Sequence, residues 1–291
     1  MKIGLTLLLF IYSAFASEEL IFKKLSEQNS LDKQAKLLYW ANHFIGLPYD
    51  PTGPLGEGSD GLYDQDPLYR FDTFDCTTFV ETLIALSNSV DKTSFLDAMN
   101  QVRYRDGFVS YLDRNHIISQ SWVPNNIENH FIFNNTSFFA SHFVKEASAI
   151  IDLANWLKFH KVTSLKLPHL SEKTKLERLN QLREEAIRFS PEEVRIDYLS
   201  IKEVLYNWEL FLLGLKEKTY ILNIVRPNWE LKHLIGTNLN ISHQGVLEVA
   251  NDGVYFIHAS SAGKVLKISL RSYLEKIKDS STIKGFSLYS I

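Results

Sequence analysis

The stretch Ile241-Ser242-His243-Gln244-Gly245-Val246-Leu247-Glu248-Val249-Ala250-Asn251-Asp252-Gly253-Val254-Tyr255-Phe256-Ile257-His258-Ala259 reads as two strands joined by a turn. Apolar and β-branched residues run through Ile241–Val249 and Val254–Ala259, and Asn251-Asp252-Gly253 between them is a turn signal. A four-residue loop from Ala250 to Gly253 pairs Val249 with Val254. That register sets His243 opposite Ser260 and places His258 diagonally beside it on the same face. A loop one residue longer or shorter would send the two imidazoles to opposite faces. The register is a sharp expectation.

Around this hairpin the chain from Tyr220 onward is β in character, with further strands at Tyr220–Val225, Val265–Ile268 and Ser287–Ile291. The N-terminal third is helical instead. Asp32–Phe44 has apolar residues at helical spacing and stops at the breaker Gly46-Leu47-Pro48-Tyr49. A long Gly-, Pro- and Asp-rich loop fills Asp50–Arg70, and loops of this length in compact proteins tend to be functional. Helices are expected from Cys76 and over Lys92–Arg103. Between about 108 and 219 the chain is mixed, with helical periods at Leu176–Phe189 and Ser200–Leu215. The expectation is an α+β protein: helices first, a large and mostly helical mid-chain insertion, and a small antiparallel sheet last. No composition break marks a linker, so residues 17–291 are read as one domain.

At 291 residues with 45% apolar and 22% charged side chains, the composition is that of an ordinary globular protein. A net charge of -3, with no basic run, P-loop or GxGxxG, argues against nucleic acid and nucleotides as partners. Met1-Lys2, an apolar stretch from Ile3 to Phe15 and Ala14-Phe15-Ala16 have the three-part layout of a secretory signal peptide over residues 1–16. The apolar stretch is too short to span a bilayer. The expected mature protein begins near Ser17 and is periplasmic or secreted, without stable membrane insertion.

Cys76 is the only cysteine, so an internal disulfide is impossible. A lone thiol in an exported protein invites oxidation unless it is inert and buried or has a use. In Phe74-Asp75-Cys76-Thr77-Thr78-Phe79-Val80-Glu81 it stands first in a helix, with acidic or hydroxyl caps at hand. Unpaired N–H groups and the partial positive charge there would lower the thiol's pKa and hold an oxyanion. A thiolate nucleophile needs a base that later protonates the leaving amine, a role suited to histidine. The constellation reads as Cys76 nucleophile, His243 base and His258 orienting His243.

Gly46-Leu47-Pro48-Tyr49, Phe74-Asp75-Cys76, Ser242-His243-Gln244-Gly245 and Phe256-Ile257-His258-Ala259-Ser260, in that order, resemble the NlpC-type papain-like peptidoglycan hydrolases. The longer Phe74–Glu81 run, Arg103-Tyr104-Arg105-Asp106-Gly107 and Ile235–His243 look like the N-acetylmuramoyl-L-alanine amidase branch. The resemblance implies a circularly permuted papain-like fold, muropeptide substrates, no metal or organic cofactor, and a third polar catalytic position at His258. It also implies that Tyr49 borders the site, helping to bind substrate or oxyanion. The segment between Cys76 and His243 is much longer than in compact NlpC domains and is expected to wall the cleft.

Other features carry less. His142 and Glu146 could share a helix face but lack an HExxH companion. His116 lies in a polar, aromatic stretch of the kind that lines saccharide or peptide clefts, and is a candidate substrate contact. Arg70, Arg103, Arg105 and Arg114 are candidate cations for an acidic substrate. Asn134-Asn135-Thr136 and Asn240-Ile241-Ser242 match the glycosylation sequon by chance. Competing readings are a γ-D-glutamyl–diamino acid endopeptidase using the same residues, a catalytically silent wall-binding module, and a zinc amidase.

Overall fold

The computed structural model describes residues 18–291, so the expected signal peptide lies outside the described residues. Four helices open the chain: α1 (Glu18–Glu27), α2 (Lys33–His43), α3 (Cys76–Ser87) and α4 (Lys92–Arg103). Three of them start on an aspartate whose carboxylate accepts from the backbone N–H three residues on: Asp32 from Ala35, Asp75 from Thr78 and Asp91 from Ser94. Such caps satisfy N–H groups that a helix start leaves orphaned. Every residue of α3 from Thr78 to Ser87 is buried, which makes it the central helix. It lies against α2 and α4 on one side and the sheet on the other.

The strands are β1 (Phe133–Asn134), β2 (Val144–Ile151), β3 (Glu192–Ser200), β4 (Thr219–Trp229), β5 (Leu239–Ala250), β6 (Gly253–Ser260), β7 (Lys264–Ser269) and β8 (Gly285–Ser290). They form one antiparallel sheet in the order β2-β3-β8-β4-β5-β6-β7, with β1 on β8. Alternate side chains of the central strands enter two different cores. Ile221, Val246 and Ile257 join Leu37, Trp40, Phe79 and Leu83 of the N-terminal helices. Leu222, Leu247 and Phe256 join Phe211 and the Leu270–Ile277 helix on the opposite face. Covering both faces is why these strands read as nearly continuous apolar runs.

The hairpin keeps the expected register, with Val249 opposite Val254 and the ladder running to Val246–Ile257. Ala250 and Gly253 also pair, so the turn itself is Asn251-Asp252. Next to His243 the β4–β5 ladder slips: Ile224 pairs His243, whereas Val225 pairs Ile241. Ser242 is the extra residue of a β-bulge, a device that twists a strand and re-aims its side chains.

The mid-chain segment departs from expectation. It contains helices at Glu172–Glu185, Ile201–Tyr206 and Trp208–Gly214, but also β2 and β3, which carry the sheet beyond β8. The sheet is accordingly large, and the segment is built into it rather than laid over it. Glu146 sits on β2, so the expected helical face shared with His142 does not exist. Asn240 is fully buried and donates to the Val194 carbonyl at 3.0 Å, leaving no room for a glycan at that sequon.

The Asp50–Arg70 loop is pinned to the helices and to the mid-chain segment. Buried Arg103 pairs with buried Glu81 of α3 and donates to the Leu55 carbonyl, while the Tyr104 hydroxyl donates to the Gly56 carbonyl at 2.8 Å. Lys166 reaches the Asp66 carboxylate and the Gly53 carbonyl at 2.6 Å.

Candidate active site

Three separate stretches of chain are brought side by side by backbone hydrogen bonds. Gly46 and Tyr49 donate to the Val265 and Gly263 carbonyls at 2.9 and 3.0 Å, so Gly46–Tyr49 runs along β7. Phe74 donates back to Pro48 at 3.1 Å, and Asp50 donates to Phe74 at 2.9 Å. The edge of the sheet thus delivers the chain to the start of α3. Gly46 has φ 92°, a left-handed turn just past the end of α2 that glycine makes without strain.

Cys76 is the first residue of α3. A capping box fixes it: the Thr78 N–H donates to Asp75 Oδ1 at 2.7 Å, and the Asp75 N–H donates to Thr78 Oγ1 at 3.0 Å. The sulfur is only partly exposed and lies 3.9 Å from Thr77 Oγ1. The backbone N–H groups of Gln244 and of Cys76 itself favour its thiolate. Burial outweighs them, and with the Asp75 charge it pushes the thiol up to about 11. The expected depression by the helix N-terminus is therefore overturned, because desolvation exceeds the stabilisation from those N–H groups.

His243 and His258 meet as the register requires. His243 Nε2 lies 2.7 Å from His258 Nδ1, with the rings nearly perpendicular at 83°. This contact engages His243 Nε2 rather than its Nδ1. His258 stacks on Phe256 at 4.5 Å between centroids and meets the Tyr273 ring edge-on at 5.6 Å. Burial holds His243 down to about 4, and burial with the neighbouring His243 holds His258 down to about 3. Both rings are neutral at neutral pH. Among the described residues the sulfur has Thr77 and not His243 as its side-chain hydrogen-bond neighbour, so the expected row closes at the His–His end only. Catalytic hydrogen bonds are often longer in a free enzyme and tighten with substrate.

Gly245 explains one motif position. A Cβ there would stand 2.6 Å from the Phe256 ring, 2.7 Å from the Ile257 carbonyl and 2.8 Å from His258 Cβ. Only glycine lets β6 bring His258 this close to β5.

Tyr49 lies within electrostatic range of Cys76, with its hydroxyl pushed up first by burial and then by the sulfur. His116 is packed between Tyr111 and Trp156, at 4.6 and 4.8 Å between centroids, with Nε2 2.6 Å from the Tyr111 carbonyl. It faces a cavity of about 240 Å³ whose other walls include Asp75, Thr77, Arg114 and Lys166. Burial and then the Arg114 charge hold its imidazole well below its ordinary value. His116 therefore lines a polar recess beside the cysteine.

Of the candidate cations, Arg70 pairs with Asp72, Arg103 with Glu81 and Arg114 with Asp64, while Arg105 is exposed. Sequence reasoning missed Tyr273 and Arg226. Tyr273 sits on the short amphipathic helix Leu270–Ile277, within electrostatic range of both Cys76 and Arg226. Its only sequence signal was helical spacing of Leu270, Tyr273, Leu274 and Ile277. Among the described residues no three His, Cys, Asp or Glu side chains gather as a metal-ligand set, and no helix is long and apolar enough to cross a membrane.

A crystal structure of a Legionella pneumophila protein, assigned to a family model for a domain of unknown function (DUF1460), is similar at 30% identity over 93% of each chain, with a TM-score of 0.88. A Bacteroides uniformis N-acetylmuramoyl-L-alanine amidase matches at 20% identity with a TM-score of 0.60, over 88% of this chain and 98% of its own. A putative xylanase from Bacteroides fragilis matches at 21% identity with a TM-score of 0.57, over 87% of this chain and 100% of its own. Those two likenesses concern the fold alone. No curated protein matches the sequence. The family model described as AmiA-like, N-acetylmuramoyl-L-alanine amidase-like, matches residues 39–283, and the chain belongs to that family.

Proposed function

We propose that the protein is a cysteine-dependent amidase that hydrolyses the bond between the lactyl group of N-acetylmuramic acid and L-alanine in muropeptides. The observation that carries this reading is the 2.7 Å His243–His258 contact beside a cysteine at a helix start, within a chain of amidase-like family. We further propose that the arrangement is papain-like and NlpC-related, and that the protein acts outside the cytoplasm after loss of residues 1–16.

In this mechanism His243 Nδ1 takes the Cys76 proton as the sulfur forms a bond to the lactyl carbonyl carbon. The Cys76 backbone N–H and the Tyr49 hydroxyl are the donors proposed for the oxyanion. Collapse breaks the C–N bond, and His243 passes its proton to the departing alanine nitrogen. Water then attacks the thioester, giving its proton to His243. Cleavage of the C–S bond frees the lactyl acid, and the sulfur regains its proton. His258 keeps the imidazole oriented through Nε2 of His243.

Digesting a defined muropeptide and weighing the products tests the reading. The expected products are a sugar bearing a free lactyl acid and an intact peptide with a free L-alanine amine. A shortened peptide still attached to sugar would point to the γ-D-glutamyl endopeptidase instead. Cys76→Ala and His243→Ala should each lower kcat on the order of 10⁴-fold or more. His258→Ala should keep about 10- to 100-fold more turnover than His243→Ala. Full activity in His243→Ala sinks the mechanism. Chelator-sensitive, iodoacetamide-resistant activity would favour a zinc amidase, and wall binding without turnover would favour a binding module.

A further inference from the structure

Arg226 stands one residue from the proposed base without a carboxylate of its own. Its Nε donates to Oγ of Ser242, the bulged residue just before His243, at 3.1 Å. Its Nη1 donates to Thr282 Oγ1 at 3.1 Å, and its guanidinium lies 4.1 Å over the Trp229 ring. Two hydroxyls and an aromatic face orient the group without neutralising it. Among the described residues it forms no ion pair, in common with Arg105, Arg178, Arg183 and Arg271 and in contrast to Arg70, Arg103, Arg114, Arg188 and Arg195. It is half-buried, where an unpaired positive charge is costly. A rigid guanidinium with donors to spare suits a carboxylate fork to fork.

Its position relates it to the reaction. Tyr273 lies in electrostatic range of both the Arg226 guanidinium and the Cys76 sulfur, and its ring meets that of His258. The cation therefore lies near the imidazole pair, linked to it through the Tyr273 ring and through Ser242, the residue before His243. The stem of a muropeptide is acidic, and a γ-linked glutamyl residue leaves its α-carboxylate free close to the L-alanine bond. We propose that Arg226 is a substrate-binding residue that grips a free carboxylate of the muropeptide stem, selecting stems that carry the acid over those in which it is amidated. This rests on the amidase reading above.

The test compares two synthetic muropeptides, differing only in whether the glutamyl α-carboxyl is the free acid or the primary amide. The parent enzyme should favour the acid by about 10- to 100-fold in kcat/KM, the range of a charge-assisted hydrogen bond lost. Arg226→Met should erase that preference by slowing the acid substrate alone, and Arg226→Lys should restore part of it. Equal rates for the two substrates in the parent enzyme overturn the proposal without needing any variant. A variant that slows both substrates equally also overturns it, since that marks a purely structural arginine. If the parent does not release the free lactyl acid from either substrate, the amidase reading itself has failed, which is a distinct result.

Discussion

Between a thiol pushed up to about 11 and an imidazole held down to about 4 lies the whole neutral range, so Cys76 and His243 rest uncharged. In the proposed mechanism charge then appears only as the sulfur attacks, with His243 as a general base rather than half of a standing ion pair. Asp75 is central to this state because it does two things at once. Its carboxylate caps α3, and its charge raises the thiol further. Asparagine caps a helix about as well as aspartate but carries no charge. Asp75→Asn should leave the melting temperature nearly unchanged. Removing a negative charge favours the thiolate, so the pH profile of inactivation by iodoacetamide should shift to lower pH. In the parent the alkylation rate should still climb above pH ~9, the side on which a raised thiol ionises. A plateau at neutral pH, or an unshifted profile in Asp75→Asn, would contradict this account.

The elements that hold these residues were legible wherever a local signal matched a global one. Asp32 and Asp91 announce helix starts, and the Asn251-Asp252-Gly253 turn fixed the register that unites His243 with His258. What stayed hidden were β2 and β3, in which Lys145, Glu146, Glu192, Glu193 and Arg195 occupy exposed positions on strands near the sheet edge. With charge on the outer positions and small or mixed residues inside, neither period stands out. The bulge at Ser242 was equally invisible, since it depends on β4 rather than on β5 alone. Gly245 is a position where motif and geometry agree for a reason that can be tested. Gly245→Ala must push β6 or the His258 side chain away, because two of the three contacts are with main chain or a Cβ that cannot swing aside. The expected cost is about 1–3 kcal/mol of stability. Turnover should fall to near that of His258→Ala, read from thermal melts and kcat together. Parent-like turnover would mean that the tight approach of the strands is unimportant to the histidine pair.

At the scale of the whole molecule, the mid-chain segment decides whether the catalytic core can stand without it. If it were only a wall beside the cleft, removing residues 108–219 would leave a compact, if unselective, hydrolase. The sheet argues otherwise. β8 is buried along its whole length, with β4 on one side and β3 and β1 in turn on the other, and the Thr136 hydroxyl exchanges hydrogen bonds with the Leu288 backbone at 2.9 and 3.2 Å. The Ser290 N–H likewise donates to the Asn135 side chain. Phe139, Phe143, Leu199 and Phe211 belong to the same core as Leu222, Phe256 and Leu274, the packing that supports Phe256 under His258. Excision would bare an apolar strand edge and hollow the core at once, and bare edges pair with other chains. Replacing 108–219 by a short Gly-Ser linker should therefore give aggregated protein without a cooperative melt. By contrast Ile150→Lys, on the exposed face of β2, should change stability by less than about 0.5 kcal/mol. A soluble, monomeric deletion protein that melts cooperatively and retains thiol-dependent turnover would return the segment to the status of an ornament.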